Sequence, residues 1–292
     1  MKNLILLAIF ITAMLPLKAE FTLDAEWNIG DTLRYNITRI TEKHKADAIL
    51  DAYGVIYNAD IVVESKDESG YTLSWTFTDV NIMSEAKGIM SLVGGLQIKY
   101  MTDHKGQLLG VLNHEEIVNN LRSALDKLAP QTESPVNLTE TIQEMEQIIN
   151  DPDRLQDDIL KEIIMLHSVY AIEFPDSGSQ VQQNQLPNFY GGEPLPASLE
   201  LVTEKTDENY ILRLNQSIEK QPALKVLEKT IQKLRQQGNE MPDMSEIQNL
   251  DISDSFMYIA GSENNFIKLA KYERTFILGM VKQINRSNLE LE

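Results

Sequence analysis

Asp151, Asp153, Asp157 and Asp158 form the densest set of chemically competent side chains in this sequence. Two carboxylates about 5 to 9.5 Å apart across a sugar can cleave a glycosidic bond, one as acid and the other as base or nucleophile. Acids are abundant throughout the chain, so such pairs carry little weight alone. A calcium loop needs acids at fixed alternate positions, a central glycine and a late glutamate, whereas this segment places Pro152 and Leu155 at helix positions. The simpler reading is favourable negative charge at a helix N-terminus.

The histidines are His44, His104, His114 and His167, and no two stand at metal-ligand spacing. His114-Glu115-Glu116 lacks the second histidine of a zinc-protease helix. His104 and His114 read as exposed, one in a turn and one at a helix start. There is no cysteine, no Gly-x-Ser-x-Gly elbow and no glycine-rich phosphate loop. The sequence therefore assigns no catalytic, cofactor or metal-binding residue.

Two patterns suit binding instead. Tyr35, Tyr57, Tyr71, Trp75 and Phe77 can line a cavity for an apolar or sugar ligand, or fill a sheet core. Lys225, Lys229 and Lys233 recur at steps of four, opposite Leu224, Leu227, Ile231 and Leu234. That basic helix face can dock an acidic partner or stand as a solvated surface.

The elements that must position these residues are legible from periodicity. Leu33, Tyr35 and Ile37 alternate with polar residues. So do Val55 to Val63, and Tyr71, Leu73, Trp75 and Phe77. Period-two alternation predicts strands with one buried face. Asp67 to Gly70 and Asp103 to Gly106 read as hairpin turns. Three helices follow. The first is capped by Asn113 with Glu116 and carries Ile117, Leu121, Leu125 and Leu128. The second carries Leu138, Ile142, Met145 and Ile149, after a linker over 130–136. The third starts at Asp151-Pro152 and carries Leu155, Ile159, Ile163 and Leu166. The stretch 177–196 reads as a polar loop. Strands are expected over 199–204 and 210–218, and a helix over 222–237. An excursion over 240–251 precedes strands near 255–260, 266–273 and 274–284. Glu64, Asp67-Glu68 and Tyr71 echo Glu204, Asp207-Glu208 and Tyr210, which hints at a duplicated meander.

The sequence opens with Lys2, an apolar run from Leu4 to Leu15, and Pro16-Leu17-Lys18-Ala19 before Glu20. This is the pattern of a secretory signal peptide over residues 1–19, too short for a comfortable membrane span. Net charge is −18, and removing Lys2 and Lys18 leaves −20. A surface so acidic disfavours nucleic acid and anionic lipid headgroups as general partners. Absence of cysteine leaves core packing alone to hold an exported body, and removes lipid attachment at the cleavage site.

Trp27-x-x-Gly30-Asp31-x-Leu33-x-Tyr35 is followed by Tyr100-x-x-Asp103-x-x-Gly106-x-Leu108, Asn113-His114-Glu115-Glu116 and Gly191-Gly192-Glu193-Pro194-Leu195-Pro196-Ala197. Together these segments resemble uncharacterised exported proteins of Gram-negative bacteria, grouped as domains of unknown function. The resemblance implies an envelope location and a β-rich fold, and it supplies no catalytic residues. The signal peptide without a cysteine at its end leads to the expectation of a periplasmic or extracellular protein.

The expectation is one α+β domain over 20–292. Its curved antiparallel sheet comes from two β-meanders (20–112 and 168–292), with a central helical segment (113–167) and one inserted helix. The function expected is non-enzymatic binding, with an apolar-ligand cavity on the curved sheet or an envelope protein as partner. The alternatives are an envelope glycan hydrolase using paired carboxylates and an assembly partner docking through the basic helix face.

Overall fold

A computed structural model describes residues 21–46, 48–83, 89–128, 137–239, 241 and 244–292. The expected signal peptide and the 130–136 linker lie outside the described residues, as do the side chains of Leu128 and Leu138.

The chain is predominantly antiparallel sheet. After the short β1 (Phe21–Thr22), the first meander comprises β2 (Thr32–Lys45), β3 (Ala48–Asp67), β4 (Gly70–Ile82), β5 (Gln97–Thr102) and β6 (Leu108–Val111). The helical segment holds α1 (His114–Leu128), α2 (Asn137–Asn150), α3 (Pro152–Ile159) and α4 (Lys161–Ser168). Then come β7 (Glu173–Phe174), β8 (Gly178–Leu186), β9 (Leu195–Lys205) and β10 (Asn209–Ile218). The inserted α5 (Lys220–Gln236) and the short α6 (Met244–Ile247) precede β11 (Asp251–Gly261), β12 (Ile267–Leu278) and β13 (Val281–Leu291).

β1 pairs with β7; the others form one eleven-stranded sheet, ordered β6-β5-β4-β3-β2-β13-β12-β11-β10-β9-β8. The two meanders join where the last long strand pairs with the first: Ile37 faces Leu289, Arg39 faces Ser287 and Thr41 faces Asn285. The echoed acidic segments form the β3–β4 and β9–β10 hairpin turns, so they occupy corresponding places in the two meanders.

Alternation decides which face is buried. Tyr35, Tyr57, Tyr71, Trp75 and Phe77 are each at most 1% exposed and face inward. The helices cover them with Ile117, Leu121 and Leu125 from α1, Met145 and Ile149 from α2, and Leu155, Ile159, Ile163 and Leu166 from α3 and α4. A second apolar cluster forms where α5 lays Ala223, Leu227 and Ile231 over Leu195, Ala197 and Ile218. The opposite face carries ion pairs, including Arg286 with Glu273 (2.7 Å) and Glu42 (3.1 Å). Such exposed pairs contribute little each.

Four expectations need correcting. Residues 177–196 are not a loop throughout: Gly178–Leu186 is an edge strand and β9 begins at Leu195. Its sequence is polar because one side faces solvent, with Val181 exposed, and because an edge needs little apolar pairing. The break between the last two strands falls at Gly279-Met280, since β12 continues through Arg274, whose side chain points inward beside Asp254. The third helix breaks at Leu160 into α3 and α4. Asn113 and Glu116 do meet, Asn113 Nδ2 donating to Glu116 Oε2 (3.3 Å), but side chain to side chain rather than through the backbone amides of a capping box. Asn113 Oδ1 accepts from the Lys99 amide (2.8 Å) and its Nδ2 also donates to the Gln97 carbonyl (3.0 Å), so Asn113 fastens α1 to β5.

Candidate ligand cleft

The aromatic strand residues expected to line a cavity instead fill it. Between Trp27, Leu33, Tyr35, Tyr170 and Phe266 only ≈ 10 Å³ remains, room for about one water at most and for no ligand. Space opens one layer further out. A cleft of ≈ 1010 Å³ lies between the edge strand β6, the start of α1, and the α3–α4 wall. Leu108, Val111, Ile117, Leu155, Leu160 and Ile164 give it an aliphatic stretch, and Gln107, His114, Asp153, Gln156, Asp157 and Ser168 give it a substantial polar share.

Local sequence explains the helical wall. The Asp151 carboxylate accepts from the amides of Asp153 (3.1 Å) and Arg154 (3.3 Å), and Pro152 occupies the first turn, where a missing N–H costs nothing. Asp153 and Asp157 then stand one turn apart on the same wall. Burial pushes the Asp157 carboxyl up to about 6, helped by the charges of Asp158 and Asp153. Burial also raises Asp158, against the pull of Arg39. No carboxylate lines the cleft from β6 or α1 among the described residues.

The histidines are dispersed. His104 and His114 are exposed, as their positions suggested. His44 lies 3.4 Å from the Glu42 carboxylate. His167 is buried on the inner side of the cleft. Its Nδ1, 2.8 Å from the Gly106 carbonyl, must carry the proton, because a carbonyl only accepts. Nε2 then accepts from the Tyr100 hydroxyl at 3.0 Å. Among the described residues no three acidic or histidine side chains converge as metal ligands.

Burial lowers His167 to about 4, from 6.5. The unfolded chain therefore takes up this proton first, and stability is complete above pH 6.5 and declines toward pH 4. The loss across that window is about 3 kcal/mol. Asp157 works the other way, since its folded form binds a proton more readily, but partial exposure weakens its effect. Urea unfolding at pH 7, 5.5 and 4.5 should show the decline, and His167→Gln, which keeps a donor and an acceptor, should flatten it. An equal slope in both proteins would refute the assignment.

Behind the helical wall lies a buried ionic cluster. Arg39 on β2 donates Nε to Glu162 Oε1 (2.8 Å) and Nη2 to Oε2, while Nη1 reaches the Asp158 carbonyl (2.9 Å). Tyr57 (3.1 Å) and Ser287 (3.2 Å) donate hydroxyls to the same carboxylate. Burial pushes Glu162 up, but the Arg39 guanidinium outweighs it and holds the carboxyl below the usual range. Lys161 is also buried, its Nζ 5.2 Å from the Tyr272 ring, and desolvation lowers it to about 8. Asp254, Arg274, Asn285 and Thr41 continue the polar belt across neighbouring strands in direct register. On β11 the belt separates Phe256 of one apolar cluster from Ile252 of the other.

Sequence reasoning brought Asp153 and Asp157 together on one helix but missed the aliphatic cleft residues and the ionic cluster. The available signal was Arg39 at an inward position of the run Tyr35, Ile37, Arg39, Thr41. Another was Lys161-Glu162 inside an apolar helical stripe.

No protein-family model matches this chain, and no curated protein sequence does. A solved structure described as "lipid-protein interactions in lipovitellin" superposes with a TM-score of 0.50 at 11% identity. The match takes in 91% of this chain but 25% of that one, so this chain spans about a quarter of that protein's length. At such identity the likeness is one of fold: a large antiparallel sheet.

Proposed function

We propose that this chain is an exported bacterial envelope protein, of the uncharacterised group it resembles, that binds an amphipathic ligand of the lipid class. The site is the cleft between β6 and the α3–α4 wall. The observation that carries this reading is the cleft's make-up: ≈ 1010 Å³, with an aliphatic stretch beside a substantial set of polar and acidic side chains, as an amphipathic ligand needs. Ligand pockets are commonly about 300–1,000 Å³. The lipovitellin description supports the ligand class by analogy of fold.

The glycan-hydrolase alternative is weaker. Asp153 and Asp157 share one wall, whereas the paired carboxylates of such enzymes flank the bond they cleave. The assembly reading keeps its geometry, with Lys225, Lys229 and Lys233 exposed on α5 opposite Ala223, Leu227 and Ile231.

The test is native mass spectrometry of residues 20–292 released gently from the cell envelope, followed by titration with a fluorescent fatty acid. A lipid-sized adduct and saturable probe uptake are expected. Ala171→Trp, an exposed position at the cleft, should weaken probe binding by about tenfold or more through lost contact area. Its melting temperature should not change. No adduct together with no uptake would end this reading.

A further inference from the structure

We propose that the end of the sheet formed by the β2–β3 and β12–β13 turns docks onto a phospholipid bilayer surface. Ten large apolar residues are exposed among the described residues, and six of them gather at this end: Ile49, Leu50, Tyr53, Met83, Met280 and Val281. Their proximity follows from the pairing. Ile49 faces His44, Val281 faces Lys45, and Tyr53 faces Thr41. The Ala46 amide donates to the Met280 carbonyl (3.1 Å) and the Met83 amide to the Gly54 carbonyl (2.8 Å). Five adjacent strands, β4-β3-β2-β13-β12, thus present one apolar margin. Such clustering in a water-exposed region marks an interaction surface rather than chance exposure.

Shape and charge favour a bilayer over a protein face. Leu50 is the extra residue of a bulge between the Lys43–Asp51 and His44–Ile49 pairs, and Met280 sits in the β12–β13 turn, so both side chains are free to reach outward and both are exposed. Lys43, Lys45 and Lys282 flank the apolar group, and none is in an ion pair among the described residues. Among the described residues of the β2–β3 ribbon end, the acids are Asp51 and Glu42, and Glu42 is already paired with Arg286 (3.1 Å), so the three lysines leave this end near neutral in a chain of −18. It can approach headgroup phosphates where the acidic remainder cannot. Apolar tips would enter the interface while lysine stems lie along it and their ammonium groups meet phosphate.

The experiment is flotation of residues 20–292 with phosphatidylcholine vesicles and with vesicles also containing phosphatidylglycerol. The protein should float with both, more strongly with the anionic set. Leu50→Glu with Met280→Glu, at positions 60% and 69% exposed, should cut the bound fraction by about tenfold or more with an unchanged melting temperature. A protein that never floats, or a variant that floats as well as the parent, overturns the proposal. So does sedimentation showing a dimer that the same substitutions dissolve, without vesicle binding, because the occupant is then a second copy. Ala171→Trp should float normally, which keeps failure here distinct from failure of the cleft reading, whose residues are a separate set.

Discussion

Arg39→Met is expected to lower folding stability by about 3–5 kcal/mol, because it strands a buried carboxylate. Glu162 is 1% exposed and takes two of its hydrogen bonds from the Arg39 guanidinium. Without that cation, the Tyr57 and Ser287 hydroxyls remain as its side-chain donors in the cluster, and neither carries charge. The carboxyl must then take up a proton or draw water into the seam. The damage is not local. Arg39 and Tyr57 come from the first meander, Ser287 from the second, and Glu162 from the helix that walls the cleft, so one cluster ties three segments of the chain together. Arg39→Met with Glu162→Leu should recover much of the loss, since an apolar pair of similar volume replaces both desolvated charges. Denaturant unfolding of the two singles and the double closes a mutant cycle. A single-mutant loss below about 1 kcal/mol would place this pair with ordinary surface pairs and contradict its burial. The same group links stability to acid. Its folded pKa is depressed, so its contribution is present above the unfolded carboxylate range and fades as pH falls through the folded value.

Local pattern revealed most of the fold, and its failures have physical causes. Tyr71, Leu73, Trp75 and Phe77 advertised a half-buried strand because each inward side chain is large and each outward one polar. The α5 helix was equally plain, although its most buried positions are Ala223, Leu227 and Ile231 rather than the leucines flanking them. Gly178–Leu186 escaped because an edge strand is held by backbone pairing to β9, which leaves no hydrophobic trace. The site was less accessible. His167 meets Gly106 across 61 residues and Arg39 meets Glu162 across 123, and no local spacing encodes such contacts. The cleft depends on where an edge strand stops and where α3 turns into α4, and both are outcomes of packing. The five aromatics illustrate the ambiguity. The same alternation describes a cavity wall and a filled core, and which one results depends on the helices that arrive from the middle of the chain.

Gly70→Ala should be among the most damaging single-methyl additions available to this chain. Gly70 has a φ of +139°, a conformation L side chains rarely adopt, at the turn between β3 and β4. Steric crowding adds to the backbone strain. A Cβ there would stand 2.0 Å from the Thr102 carbonyl oxygen and 2.7 Å from the Asp103 Cα, both main-chain atoms that cannot rotate away. Relief requires β4 and β5 to part at the Tyr71–Thr102 pair. Tyr71 is fixed by its hydroxyl on the Ala25 carbonyl (3.0 Å) and by its ring 5.1 Å from that of Trp27, so movement there opens the core beneath the N-terminal segment. The expected loss is about 4–5 kcal/mol or more, in the range where a named steric cause is required. Gly30→Ala supplies the control. Its φ of +91° is also positive, but no atom lies within 4 Å of the added methyl. Backbone strain alone should then cost about 1–2 kcal/mol. Urea midpoints for the two variants separate strain from collision. Equal, small losses would mean that the β4–β5 hairpin yields freely, and the close approach of Gly70 to Thr102 would then have no part in holding the first meander together.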